Sequence, residues 1–147
     1  MINLLNKTNS IMLYHYFENN GYKGTKLEFD EKLFNKNLFS FERTYVFESE
    51  GQVTGFIQYG KTKDSKGIIR LFNASKEEDG KELLFRALIY FYMFHLQDII
   101  VLDDKYSIDE TTKLGMEFNS VVLNLFSSFN LSKSESTEIP SFRFIKA

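Results

Sequence analysis

The chain has 147 residues and a net charge of −2, with 43 % hydrophobic and 26 % charged residues, which suits one globular domain with a substantial core. The charge balance leaves no basic field for nucleic acid or an anionic membrane, and no apolar run reaches the length that crosses a bilayer. Cysteine is absent, which excludes disulfides, thiol catalysis and thiolate metal sites. The N-terminal MINLLNKTNS has no basic segment followed by a long apolar stretch, so a cytoplasmic protein is expected. Phe occurs 16 times and Tyr 8 times, while Trp is missing and Pro occurs once; aromatic rings are expected to fill the core.

Residues 2–5 read as a short strand. Thr8, Asn9 or Ser10 is expected to cap a helix over about 11–19, which Asn19, Asn20 and Gly21 stop. Asp30 is expected to cap a second short helix carrying Leu33, Phe34 and Leu38. The pattern then changes to β-branched and aromatic residues over 44–48 and 53–59, with Gly51 in the turn between them, and a third strand follows over 68–72 after a polar turn at 61–67. A helix is expected over about 79–96, with Leu83, Leu84, Ala87, Leu88 and Phe91 on one face. Its YFYMF end is apolar nearly all round, so some of Tyr90, Tyr92, Met93 and Phe94 should be covered by other helices or by a second chain. The run DIIVL at 98–102 has the continuous apolar character of a central parallel strand. A helix over about 112–129, a polar loop at 132–141 and a closing strand at 141–145 complete the chain. The order βααβββαβαβ predicts an α/β fold with a mixed central sheet of about six strands and flanking helices, as a single domain over 1–147.

The stretches FESEGQVTGFIQYG, IIRLFNASKEEDGKELLFRALIYF and NSVVLNLFSSFNL, in this order, resemble the GNAT superfamily of acyl-CoA-dependent N-acetyltransferases. The first is similar to the family's second and third strands, the next to its cofactor-binding strand, loop and helix, and the last to its C-terminal helix motif. On the last of these, Asn119, Val122, Leu125, Phe126, Asn130 and Leu131 fall on the motif positions. The resemblance implies that acetyl-CoA lies against Phe72, Ala74, Asp79, Gly80, Lys81 and Asn119. Backbone N–H groups at the helix start would hold its pyrophosphate. It also implies that Gly55 packs against a neighbouring backbone or side chain.

Several positions depart from the family pattern. Gly80 takes the second loop glycine position and Glu78 the first, while Ser75 or Glu77 falls where Arg or Gln is usual. Glu77, Glu78 and Asp79 therefore stand where a pyrophosphate would sit. Asp79 with Glu82, and Ser75 with Glu78, both fit a capping box that would occupy the helix-end donors. Phe126 occupies the position of the family's proton-donating Tyr, so no catalytic residue is assigned, and Asn130 replaces a glycine. The strand over 68–72 offers no carboxylate as a base.

Elsewhere, His15 and Glu18 lie three apart on a helix, but no third ligand is near, and no metal site is expected. His95 ends an aromatic helix, where a positive tip suits the dipole. Asp103 and Asp104 follow DIIVL, where they would end the strand and cap what comes next; Tyr106 lies just beyond. Two functions follow. One is an N-acetyltransferase with a degenerate cofactor loop, using acetyl-CoA and acting on a small-molecule or peptide amine. The alternative is a catalytically silent GNAT-like interaction or scaffolding domain, as a homodimer or beside a tandem partner. A third reading is a small α/β ligand-binding domain. The acidic, self-capped helix entrance predicts that acetyl-CoA binds weakly or not at all.

Overall fold

The computed structural model describes residues 1–34, 40–62, 64–96, 98–106, 110, 113–128, 131–133 and 141–144. Its elements in chain order are β1 (Ile2–Leu4), α1 (Lys7–Asn19), α2 (Lys26–Leu33), β2 (Ser40–Ser49), β3 (Gln52–Lys61), β4 (Gly67–Ala74), α3 (Glu77–Met93), β5 (Ile99–Leu102), a 3₁₀ turn at Asp104–Tyr106, α4 (Ser120–Ser128), β6 (Leu131–Lys133) and β7 (Ser141–Phe144). One seven-stranded sheet runs β1-β2-β3-β4-β5-β7-β6. Every neighbouring pair is antiparallel except β4 and β5. The α/β class, the mixed sheet and the parallel placement of the IIVL strand agree with the expectation. The strand count rises from six to seven because residues 131–133, mostly read as loop, pair with β7.

The β2–β3 hairpin closes through Glu50 and Gly51, whose φ values of 52° and 77° are both left-handed. Two such residues form the tight turn whose twist matches the strands, and glycine makes the second cheap. Gly55 then sits opposite Phe47 on one side and Ala74 on the other. A Cβ there would lie 3.1 Å from the Asn73 carbonyl oxygen and 3.1 Å from Leu83 Cδ1, so the strand glycine is where backbone and helix approach, as expected. Because the carbonyl cannot swing aside, Gly55→Val should destabilise the fold by about 1–3 kcal/mol. A denaturation midpoint equal to that of the unaltered chain would remove the packing role assigned to Gly55.

Each face of the sheet carries its own core. Leu13, Phe17, Phe29 and Leu33 of α1 and α2 pack with Val46, Phe56 and Leu71 on one face. Leu83, Leu84, Ala87 and Phe91 of α3, with Val122, Leu125 and Phe126 of α4, pack with Ile57, Ile69 and Phe72 on the other. Rings do the filling: Phe17 lies 5.0 Å from Phe29 and 5.1 Å from Phe56 between centroids, separations at which aromatic pairs attract.

Several local expectations are corrected. The cap of α1 is Asn6, not Thr8, Asn9 or Ser10. Its side chain accepts from the N–H groups of Thr8 and Asn9, and Asn9 returns a bond to the Asn6 N–H. Thr25, not Asp30, caps α2, which ends at Leu33; Leu38 lies outside the described residues. Asp30 instead pairs with Lys26 one turn before it, at 2.5 Å. Helix α3 ends at Met93, earlier than read, because His95 turns left-handed at φ 56° and the Leu96 N–H closes back on the Phe91 carbonyl, a compact helix terminator. Of the four residues at its apolar end, only Tyr90 is buried; Tyr92 and Met93 are 82 % and 68 % exposed and Phe94 is also exposed. Helix α4 starts at Ser120, not near 112, and residues 111–112 lie outside the described part of the chain, as do 134–140 and 145.

Candidate functional site

The register places a bulge at Arg70. Gln58 and Tyr59 are adjacent on β3, but their partners on β4 are Leu71 and Ile69, so Arg70 is an extra residue in the ladder. A bulge bends its strand and reverses which face each following residue takes. The core residues reflect this: Ile69 and Phe72 share one face, while Leu71 lies on the other. The pairing with β5 stops at the same point, at Ile69 opposite Val101. From Arg70 to Ala74, β4 therefore has no strand partner on its β5 side among the described residues. The opening lies at the carboxyl end of the parallel pair, where sites in α/β sheets collect.

The walls of this opening come from chain far away in sequence. Asp103 and Asp104 follow β5 and are buried. Asp104 Oδ2 accepts the N–H groups of Leu114 and Gly115, each at 2.8 Å, and Oδ1 lies 3.7 Å from Arg70 Nε. Asp103 accepts from the N–H of Lys105 at 3.1 Å and, at 3.5 Å, from that of Phe118. Burial pushes both carboxyls above the ordinary range. Backbone donors partly offset this for Asp103, and Arg70 followed by backbone donors for Asp104. The strand-ending, capping reading of these residues holds: Asp103 caps the 3₁₀ turn that follows through the Lys105 N–H, and both carboxylates also hold the non-helical segment 113–118. That segment also bonds β4 directly. Asn73 Nδ2 donates to the Glu117 carbonyl at 3.0 Å, and Asn73 Oδ1 accepts the Asn119 N–H at 2.8 Å. On the α1 side a cavity of about 360 Å³ opens between Phe17, Tyr22 and Lys23 and the strip Leu114, Gly115 and Met116. The Tyr22 hydroxyl is buried without a hydrogen-bond partner among the described residues, and desolvation raises its pKa.

The expected cofactor residues divide as follows. Phe72 is in the core, 5.7 Å from the Phe126 ring. The Ala74 carbonyl accepts Asn119 Nδ2 at 2.8 Å, and Asn119 Oδ1 accepts the Val122 N–H at 3.1 Å, so Asn119 caps α4 and ties it to the end of β4. Gly80 is buried, and a Cβ on it would lie 2.6 Å from Leu125 Cδ1; its N–H already bonds the Lys76 carbonyl. Lys81 is exposed and pairs with Glu77 at 3.3 Å. Asp79 is in the first turn with Glu77 and Glu78, both exposed. Neither capping box forms. Lys76 holds the cap position of α3 with no side-chain bond, and the Ser75 hydroxyl turns away to the Thr54 carbonyl at 3.1 Å. The acids thus stand beside the helix entrance without occupying its donors. Phe126 is fully buried between Phe72 and Phe118, whose ring lies 5.2 Å away. Asn130 lies outside the described residues. His15 makes a 2.9 Å contact with Glu18, and no group of three or more potential metal ligands occurs among the described residues. No described helix is long and apolar enough to cross a membrane.

The mixed sheet with helices on both faces has the GNAT fold. Solved structures bear this out. The chain superposes on a GNAT-family acetyltransferase from Staphylococcus aureus Mu50 with a TM-score of 0.64 at 11% identity, covering 97% of this chain and 98% of that one. It superposes on the ribosomal-protein-S18-alanine N-acetyltransferase of Escherichia coli with a TM-score of 0.60 at 10% identity, covering 100% and 95%. A GNAT-family N-acetyltransferase from Escherichia coli, solved in complex with CoA, gives 0.58 at 12% identity, covering 97% and 79%. No family model matches the sequence, and no curated protein matches it. The chain is a divergent protein of the GNAT fold.

Proposed function

We propose that this protein is an N-acetyltransferase with a degenerate cofactor loop, which takes its acyl group from acetyl-CoA in the opening between β4 and β5 and delivers it to an amine of a small molecule or peptide. The observation that carries the reading is the uncapped start of α3 beside that opening. Unsatisfied N–H groups and the positive end of the helix dipole favour an anionic group there. Similarity of fold to a CoA-bound acetyltransferase supports it. When bound, acetyl-CoA supplies an acyl group activated as a thioester. The donors that would hold it are the N–H groups of Glu77, Glu78 and Asp79 in the first turn, which have no intrahelical partner, with Gly80 and Lys81 beside them and Phe72, Ala74 and Asn119 along the opening. Transfer to an acceptor amine would release the CoA thiolate, with one proton lost from the nitrogen and one gained by the sulfur. Phe126 has no proton to give, so the thiolate is protonated by water in this reading.

Glu77 and Glu78 oppose the pyrophosphate. They are exposed and hydrated, so each costs on the order of 1 kcal/mol at 4 Å, about a fivefold loss of affinity. Weak binding by the unaltered protein is the expected result. The test is a thermal-shift titration with acetyl-CoA alongside turnover with mixed small-molecule and peptide amines. A ligand at a hundredfold excess over its Kd raises stability by about 2.7 kcal/mol. Glu77→Gln with Glu78→Gln should bring that shift within reach at lower concentration. The second reading, a silent interaction domain, is favoured by the fully buried phenylalanine where a phenol would serve. It prevails if neither the unaltered chain nor the double variant binds acetyl-CoA at millimolar concentration.

A further inference from the structure

We propose that a second groove, between α3 and the uncovered face of β1 and β2, is a binding site for an aromatic carboxylate. It lies on the flank of α3 away from α4, has a volume of about 650 Å³, and is separate from the β4–β5 opening. That volume falls in the range of small-molecule sites. Phe85, Ile89 and Met93 recur every four residues along α3 and are exposed on this flank. Neither α4 nor any other described helix covers them.

The floor is aromatic and the rim is cationic. Tyr45 and Tyr59 stack with centroids 6.3 Å apart and planes 13° from parallel. Arg43 sits directly opposite Tyr59 in the β2–β3 ladder, which brings both side chains to one face of the sheet. The Arg86 guanidinium lies 4.8 Å over the Tyr45 ring. Lys61 Nζ lies 5.1 Å from the Phe94 ring centroid at the far end. Neither arginine has a carboxylate partner among the described residues. Glu82 alone among the lining residues carries negative charge. Two guanidinium groups with no carboxylate partner among the described residues, Arg86 over the Tyr45 ring and Arg43 opposite Tyr59, match a planar anion. Arginine forks bind carboxylates in two-point fashion, and the rings offer stacking area to an aryl body. Burial pushes the Tyr59 phenol up to about 12 against the opposing pull of Arg43 and Arg86, so at neutral pH it remains a proton donor facing the same space.

The test uses 1-naphthaleneacetate and its uncharged amide, 1-naphthaleneacetamide, in calorimetric titrations of the full chain without acetyl-CoA. The carboxylate should bind about tenfold more tightly than the amide, the gain expected of a charge-assisted contact. Arg43→Gln with Arg86→Gln should abolish that preference, and Arg86→Lys should keep part of it. Phe85→Ser should weaken both ligands. Both arginines are exposed, so the melting temperature should hold and the variants remain interpretable. Equal affinity for the two ligands, or a preference that survives the double arginine change, overturns the proposal. A concentration-dependent dimer in sedimentation that Phe85→Glu dissociates also overturns it, because a second copy would then be the occupant.

Discussion

Asp104→Ala should lower the stability of the fold by about 3–5 kcal/mol, the cost of removing one partner from a buried ion pair. The carboxyl is fully inaccessible, sits beside Arg70, and holds the N–H groups of Leu114 and Gly115. Its removal strips the guanidinium of a counterion and frees two backbone donors together. Asp104→Asn should cost less, because the amide oxygen still accepts from those donors. The two differ in pH dependence as well. Asp103 and Asp104 both have folded pKa values above the ordinary carboxylate value, so the fold binds more protons than the unfolded chain between the two values. Their favourable contribution is present below the unfolded value near 4 and is lost as pH rises through the raised folded values. Stability should therefore fall across that window in the unaltered protein, and the slope should shrink in Asp104→Asn. Urea unfolding at a series of pH values measures both effects. A loss below about 1 kcal/mol for the alanine variant would mean that the pair is not the clamp described here.

Phe126→Ala should cost about 3–5 kcal/mol, since the ring is fully buried between Phe72 and Phe118 and its loss leaves a cavity that rigid neighbours cannot fill. Phe126→Tyr separates packing from chemistry. The added hydroxyl enters a surrounding of phenylalanine rings, so a loss of about 1–3 kcal/mol is expected where it finds no acceptor. If the opening between β4 and β5 is the acetyl-transfer site, the same change supplies the missing phenol. In the Glu77→Gln, Glu78→Gln background it should raise kcat while leaving the KM for acetyl-CoA unchanged. A rise in stability on replacing Phe126 by Ala would contradict the packing. A change in KM without a change in kcat would contradict the proton-donor role of the position.

Elements whose cause lies within a few residues were legible. The Glu50–Gly51 turn, the alternating strands around it, the apolar IIVL strand and the leucine face of α3 each follow from local periodicity and backbone preference. Gly55 was legible as well, through the motif that surrounds it. Caps were less so. Asn6 and Thr25 compete with equally good neighbours, and the winner depends on where the preceding chain enters. At α3 both candidate boxes lost because Ser75 continues the β4 pairing to Thr54, which draws its hydroxyl away from the helix.

The site itself was set at longer range. Local pattern and composition carry the class of fold, the order of its main elements and the absence of a phenol at Phe126, because these are properties of side-chain type and spacing along the chain. The bulge at Arg70 has no such signature. It exists because β3 and β4 differ by one residue between Tyr59–Ile69 and Gln58–Leu71, a mismatch visible only once the strands are side by side. Likewise, residues from 112 onward read as one helix, yet 113–118 form neither helix nor strand. Asp104, ten residues earlier, takes the N–H groups that a helix would need, and Gly115 turns left-handed at φ 81°. A backbone donor bonds whichever acceptor the folded chain brings nearest. Here that acceptor belongs to the end of β5, and no window of sequence around residue 115 contains it.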